Sequence, residues 1–278
     1  MKKYGIKVLL IIIFLVGLSL LLYPTVSDYW NSLHQSSAIA SYVEEIAEVN
    51  DDVYKEIWSS ANAYNQKIAE SGNIWTPDEE QLQEYKQQLS VSKTGIMGYI
   101  DIPAIDCRLP IYHGTDDAVL QIAVGHIEGS SLPVGGPNTH CVLSGHRGLP
   151  SAKLFTDLDK LSEGDIFMVQ VLDETLTYEI KKVLIVKPYE VDALKIEEGK
   201  DLCTLVTCTP YGINSHRMLV QGSRIETEKE VQAARVTADA VQIEPLIIAP
   251  IVAAFFIVIL WILLLVSIRG RKRAKRDE

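Results

Sequence analysis

Two long apolar runs lie near the two ends of the chain. Val8 to Tyr23 holds 16 residues without a charge, and Leu246 to Ile268 holds 23. At 1.5 Å per residue the second run rises about 34 Å, enough to cross a hydrocarbon core of about 30 Å, and it predicts a transmembrane helix. The first run has the length of a signal-peptide core. The first A-x-A sequence after it, at 38–40, lies far beyond it, which favours an uncleaved membrane anchor at 8–23.

Between these runs, the first part of the chain has a helical pattern. Apolar residues recur at spacings of three and four from Tyr54 to Ile68, which predicts one buried face of a helix. After a Ser-Gly-Asn break, Thr76-x-x-Glu79 has the spacing of a capping box and predicts the start of a second helix at Thr76. We expect residues 24–92 to form a helical segment.

From residue 93 the pattern changes to the alternation typical of β-strands. Residues 93–226 contain short alternating runs separated by turns with glycine or proline, which favours a mostly β domain, a barrel or a sandwich. Residues 227–245 are polar and contain no aromatic residue, so they predict a linker to the second span at 246–268.

Charge is distributed unevenly along the chain. Residues 1–7 and 269–278 hold 9 of the 26 basic residues, whereas the stretch between them carries 17 basic and 34 acidic residues. A phosphate-binding surface needs clustered cations, so this composition argues against nucleic-acid binding. By the positive-inside rule both basic ends are cytoplasmic, which predicts a two-pass protein of the cell membrane with an extracellular domain between the spans.

One of the four cysteines lies at the end of a predicted strand. Along 202–209 alternate side chains share a face, so Cys208 points with Thr204 and Val206, whereas Cys203 points the other way. A Pro-Tyr-Gly turn follows and places the Cys208 sulfur at the rim. The cysteines form neither a disulfide framework nor a metal-ligand spacing, so we expect free thiols, three of them buried, and no metal site.

A working thiol needs a cation or a base nearby. Arg217 follows Cys208 by nine residues, and a hairpin of this length brings it beside the thiol, where it lowers the thiol pKa or stabilises an oxyanion. Among the six histidines we rank His146 first as the base, because glycines on both sides let a turn expose its ring at a strand end. The other histidines fit structural positions.

Several of these residues stand in motifs that resemble a known family. The stretch Thr204-Leu205-Val206-Thr207-Cys208, with Arg217 nine residues later, resembles the TLxTC…R signature of sortases. The sequence SGHRGLP around His146 resembles the histidine segment of the class C, pilus-building branch, and Gly98–Pro103 resembles the first barrel strand. The resemblance implies an eight-stranded β-barrel at about 93–226, with an N-terminal helical extension and a transmembrane helix on each side.

This resemblance also implies a chemistry and partners. Cys208 would attack the Thr–Gly bond of an LPxTG-like sorting signal and form a thioester, with His146 as acid and base, Arg217 at the oxyanion and Thr207 in contact with the substrate. The acyl group would pass to a lysine amine of a pilin subunit, without a cofactor. Three alternatives stay open: a housekeeping-type sortase that anchors surface proteins to peptidoglycan, a membrane-tethered cysteine protease, and a structural β-domain in which these residues are incidental.

Class C members usually carry a lid before the barrel, with an Asp-Pro-aromatic motif whose ring covers the cysteine. Residues 71–78 hold no such motif here, which departs from the family pattern. In one interpretation Trp75 takes the place of the lid aromatic. In the other interpretation, Trp75 directly precedes the N-cap Thr76 and packs back onto the helix that Thr76 caps.

Overall fold

The computed structural model describes residues 2–72 and 75–227 of the chain. The predicted second span at 246–268, the basic tail and the linker from residue 228 onward lie outside the described residues. Three helices precede a β-barrel, and a short fourth helix lies among its strands. The helices are α1 (Lys2–Ala47), α2 (Asp51–Ser71), α3 (Glu79–Gln87) and α4 (Asp117–Leu120).

Helix α1 contains the first apolar run and continues far beyond it. The predicted anchor at 8–23 and the start of the predicted helical segment form one helix, with Pro24 inside it. Its stretch Leu9–Ala47 is long and apolar enough to cross a membrane, and no other helix among the described residues meets that criterion. Past the proline, Ile39 and Tyr42 are buried in the core, and this tertiary packing stabilises the later turns of the helix.

Helix α2 has its buried face where the periodicity predicts it, whereas α3 begins later than predicted. In α2, Ala61, Tyr64 and Ile68 are buried, which confirms the apolar face between residues 54 and 68. The predicted start of α3 at Thr76 is wrong. Asp78 is its N-cap: the Asp78 carboxylate accepts from the Gln81 N–H, and the Gln81 side chain accepts from the Asp78 N–H, both at 2.9 Å. Two overlapping stretches have capping-box spacing, and α3 uses the second.

Eight strands close into a barrel, which confirms the predicted fold. Around the barrel their order is β1-β2-β3-β4-β7-β8-β6-β5. The pairs β2–β3 and β4–β7 are parallel, and the other neighbours are antiparallel. The strands are β1 (Ile96–Ile102), β2 (Cys107–His113), β3 (Val124–His126), β4 (Thr139–Ser144), β5 (Ile166–Val171), β6 (Glu174–Val186), β7 (Asp201–Thr209) and β8 (His216–Ile225).

Apolar side chains pack on both faces of the strands that carry the site. Cys203 and Leu205 of β7 belong to the main core inside the barrel. Val206 belongs to a second apolar cluster on the outer face, which we call the outer cluster; its buried members are Val142, Leu194, Val206 and Leu219. The alternation predicted along β7 is therefore confirmed, and Cys208 lies on the strand two residues beyond Val206, on the outer face.

Candidate active site

Cys208 lies near the end of β7, opposite the start of β8. The two strands pair antiparallel, and Cys208 is the register partner of Arg217. The turn between them is closed by bonds from the Ile213 and Asn214 N–H groups to the Pro210 carbonyl, at 3.1 and 3.0 Å. The hairpin predicted from the nine-residue spacing is confirmed. Register partners on antiparallel strands have Cβ atoms about 4.5–5.5 Å apart, so the two side chains leave the sheet as neighbours.

Hydrogen bonds hold the Arg217 guanidinium to its own turn. Its Nη1 donates to the carbonyls of Asn214 and His216, at 3.2 and 3.0 Å. A guanidinium has five N–H donors in a fixed plane, and these bonds use only one nitrogen. The remaining donors can serve an oxyanion that develops next to Cys208.

The parallel pair β4–β7 brings the histidine segment to the same end of the barrel. Ser144 is the register partner of Val206, and just beyond it the Gly145 N–H donates to the Val206 carbonyl at 3.0 Å. Parallel strands run in the same direction, so extending this register by two residues sets His146 alongside Cys208. Two residues 62 positions apart in the chain thus reach one site through the neighbouring strands.

A compact loop holds His146 in place, and we call residues 145–156 the histidine loop. The Phe155 N–H donates to the His146 carbonyl at 3.1 Å and closes the loop. The Phe155 ring is fully buried and packs against Gly145, where a Cβ atom would lie 2.6 Å from Cδ2 of the ring. Gly145 is therefore required for close packing rather than for an unusual turn. A positive φ, +76°, occurs at Gly148 instead.

Thr207 is buried on the barrel side of β7. Its hydroxyl donates to the Gly145 carbonyl at 2.8 Å, so it ties the cysteine strand to the residue before His146. This bond gives Thr207 a positioning role. Direct contact between Thr207 and a substrate stays a prediction.

The four cysteines are free thiols, and they differ in exposure. Cys107, Cys141 and Cys203 are buried, whereas Cys208 is half-buried. Burial raises the pKa of Cys107 to about 12 and holds the pKa of Cys203 well above its usual value. The expectation of three buried thiols and one at the rim is confirmed. Because the thiolate is the nucleophile, Cys208 is the thiol placed to react.

Trp75 packs against the outer cluster, on the sheet face that carries Cys208. A hydrophobic residue directly before an N-cap often packs back onto its helix. Because the N-cap of α3 is Asp78, that position belongs to Pro77. Trp75 therefore does not have the role that it would have if Thr76 were the cap. Its ring also lines a cavity of about 710 Å³ between the end of α2 and the segment before β7. Other residues that line this cavity are Gln66, Glu70, Asn138, Lys195 and Glu198.

The buried histidines hold the scaffold together. His140 lies within β4 rather than before it; its Nε2 is 2.7 Å from Thr204 Oγ1, and its Nδ1 is 2.8 Å from the Lys195 carbonyl oxygen. His126 is fully buried, with Nδ1 3.0 Å from the Tyr85 hydroxyl. Burial lowers the pKa of His140, which favours its neutral form. These contacts confirm a structural interpretation for both.

Contacts between the two loops of the site went unrecognised in the sequence. Tyr211, in the turn after Cys208, packs on Gly148, where a Cβ atom would lie 2.6 Å from Cε2 of the tyrosine ring. The Arg147 guanidinium carbon lies 6.0 Å from the same ring centroid, and Arg147 pairs with Asp159. The sequence did show an aromatic residue, Tyr211, directly after Cys208-Thr209-Pro210 at the end of a predicted strand. Its partner Gly148 lies far away in the chain, so local sequence patterns could not identify the contact.

Comparison with known proteins agrees with this geometry. Residues 100–225 match the family model of the sortase domain. The crystal structure of sortase C1 from Streptococcus agalactiae is 49% identical, with a TM-score of 0.68 over 69% of this chain and 100% of that one. Sortase C from Clostridium perfringens is 40% identical, with a TM-score of 0.59 over 69% of this chain and 99% of that one.

Curated relatives match about half of this chain or less. Sortase D from Bacillus subtilis is 33% identical over 131 residues, which are 46% of this chain and 63% of the relative. The chain thus spans a little under two thirds of that relative's length. Motif, barrel topology and full coverage of a sortase C1 structure at 49% identity all agree. The chain therefore belongs to the sortase family of cysteine transpeptidases, and its solved structural relatives include class C members.

Proposed function

We propose that this chain is a membrane-anchored class C sortase that joins pilin subunits. It cleaves an LPxTG-like sorting signal through a thioester on Cys208 and transfers the acyl group to a lysine amine of a second pilin. The observation that supports the proposal is the convergence of β4, β7 and β8: Arg217 is the register partner of Cys208, and the β4–β7 register ends two residues before His146 and Cys208. Helix α1 supplies the anchor, with the barrel on the outer face of the membrane.

In the first half-reaction the Cys208 thiolate attacks the carbonyl carbon of the threonine in the sorting signal. The C=O electrons move to the oxygen, and the Arg217 guanidinium stabilises the oxyanion. When the C–N bond breaks, protonated His146 donates its proton to the leaving glycine amine. The products are a thioester on Cys208, a released C-terminal peptide and neutral His146.

In the second half-reaction a lysine amine attacks the thioester carbonyl. Neutral His146 accepts the proton that the amine loses, and the C–S bond breaks to release the Cys208 thiolate. The new bond is an isopeptide amide. The thioester retains the energy of the broken amide, so the transfer proceeds without a nucleotide or a metal.

The choice of a pilin lysine as acceptor is supported by two observations. The solved relatives with high coverage include sortase C1 and sortase C, and the barrel follows a helical segment that contains Trp75 on the same sheet face as Cys208. A lid over the thiol would keep water from the thioester until an acceptor displaces it. We propose that Trp75 is the aromatic residue of such a lid.

The test uses the full chain in detergent with an LPxTG peptide and a lysine-bearing pilin domain. Intact mass spectrometry follows the adduct on Cys208, and peptide mapping identifies the product bond. Cys208→Ala is the negative control, and Cys107→Ala is the matched control because its thiol is buried. We expect an adduct that passes to a specific pilin lysine in the second variant and none in the first.

Other outcomes would assign a different activity. An adduct that passes only to peptidoglycan-type amines indicates an anchoring sortase, and one lost only to water indicates a protease. If the full chain forms no adduct on Cys208, even with Trp75→Ala, the proposal is wrong.

A further inference from the structure

The membrane-proximal part of α1 is hydrogen-bonded to the histidine loop. The Asn31 Nδ2 donates to the Ser151 carbonyl at 2.7 Å, and the Lys153 N–H donates to the Asp28 carboxylate at 2.6 Å. Both loop partners are backbone groups. Asp28 lies five residues after Tyr23, which is about 8 Å along a helix from the end of the apolar run.

These two contacts belong to one stripe of α1 that follows the barrel. Further along the helix, Gln35 Nε2 donates to the Ile122 carbonyl at 2.7 Å. Next, the Tyr42 hydroxyl donates to the Met97 carbonyl at 3.1 Å and accepts from the Leu172 N–H at 2.8 Å. The four helix positions, 28, 31, 35 and 42, are separated by three, four and seven residues. This spacing places them on one helix face, so α1 is fixed to the barrel along its length past the apolar run.

Inside the histidine loop, further hydrogen bonds join the segment around Ser151 and Lys153, which α1 holds, to His146. The Gly148 N–H donates to Thr156 Oγ1 at 3.1 Å, and the Phe155 N–H donates to the His146 carbonyl at 3.1 Å. The Phe155 ring is buried beneath the loop, against Gly145. A displacement of the loop at Ser151 or Lys153 therefore shifts the backbone that holds His146.

We propose that Asp28 and Asn31 are positioning residues, through which the membrane anchor holds His146 at the candidate site. The proposal rests on the acid–base role proposed above for His146. The bonds of Asp28 and Asn31 go to the histidine loop and not to β7 or β8, which carry Cys208 and Arg217. We call the two bonds that Asp28 and Asn31 make to the histidine loop the brace. Loss of the brace therefore lowers the rate of acyl transfer and leaves binding of the sorting signal unchanged.

The test compares variants of the full chain in detergent or nanodiscs with an LPxTG peptide as the substrate. For Asp28→Ala/Asn31→Ala we expect kcat of acyl-enzyme formation to fall about tenfold or more, because small displacements of a catalytic group have large effects on rate. KM should stay within about twofold, since the binding strands are untouched. Ser36→Ala/Ser37→Ala, on the exposed side of α1, is the matched control and should behave as wild type.

Conservative single variants show whether Asp28 and Asn31 act through their hydrogen bonds or only through the packing of α1. Asp28→Asn keeps a side-chain oxygen that accepts from the Lys153 N–H, so it should retain near-normal kcat. Asn31→Asp replaces the donor to the Ser151 carbonyl with an acceptor and should lose kcat as Asn31→Ala does. The opposite pattern, or wild-type kcat in the double alanine variant, overturns the proposal.

A second readout works without turnover. Amide hydrogen exchange reports how often the backbone of each segment opens. In the double alanine variant we expect amide hydrogen exchange of residues 146–156 to accelerate while that of β7 does not. Unchanged exchange of residues 146–156 overturns the proposal. If wild type forms no acyl-enzyme, the proposed function fails, and the hydrogen-exchange comparison still tests the brace.

Discussion

Adding one methyl group at Gly145 should destabilise the barrel, because the Phe155 ring already fills the space. A Cβ atom there would lie 2.6 Å from Cδ2, 2.9 Å from Cγ and 3.0 Å from Cε2 of the ring. Carbon atoms in contact prefer a separation of about 3.5–4.0 Å, so the ring or the strand would have to move by about 1 Å. Phe155 is fully buried and cannot swing into solvent.

For Gly145→Ala we expect the free energy of unfolding to fall by about 1–3 kcal/mol, the usual cost of overpacking a filled core. The measurement is guanidinium-induced unfolding of the full chain in detergent, followed by tryptophan fluorescence. Gly17→Ala is the matched control, because a Cβ atom there has no neighbour within 4 Å. It should leave barrel stability unchanged.

A double-mutant cycle identifies the ring as the cause. Phe155→Leu makes room for the methyl group, so Gly145→Ala/Phe155→Leu should be more stable than the sum of the single effects predicts, by about 0.5–3 kcal/mol. Because Gly145 directly precedes His146, Gly145→Ala should also slow acyl-enzyme formation by about tenfold or more. Wild-type stability of the single variant, or strict additivity in the cycle, would refute the packing explanation.

Three further predictions follow from the site. Iodoacetamide at pH 8 should modify only Cys208 in the folded chain and all four cysteines after denaturation, counted by mass spectrometry; fast native labelling of Cys107 would contradict its burial and raised pKa. Trp75→Ala should increase thioester hydrolysis several-fold, measured as peptide released without acceptor, and an unchanged rate would argue against a lid. Arg217→Ala should lower kcat/KM for acyl-enzyme formation by about 10²–10³-fold, the effect of removing one oxyanion donor, and a smaller loss would place the oxyanion elsewhere.

Features that depend on nearby residues could be predicted from the sequence. The periodicity of α2 predicted the buried positions of Ala61, Tyr64 and Ile68, and the alternation of β7 predicted its two faces. The pairing of Cys208 with Arg217 also followed from local spacing, because a short turn fixes the register of a hairpin. In each case the interacting groups lie within a few turns or one hairpin of each other.

Features that depend on distant residues could not be predicted in this way. The β4–β7 register joins Ser144 to Val206 across two intervening strands, and no local pattern specifies that pairing. The continuation of α1 past Pro24 depends on packing against the barrel, which outweighs the cost of the proline. One local feature was also mispredicted: the start of α3 was misplaced because two overlapping capping boxes compete, and their difference in free energy is too small to read from residue types.

The parallel pairing of β4 with β7 has a consequence for the folding chain. Strands β5 and β6 lie between them in sequence but not in the barrel order, so β4 meets β7 through pairs of residues 62 positions apart, such as Ser144 and Val206. Pairings across such sequence distances form late, since the entropy of loop closure must be overcome first. A partly folded chain therefore holds Cys208 and His146 apart, although both residues are already synthesised. The acid–base assistance proposed for His146 would reach Cys208 only after β4 and β7 have paired.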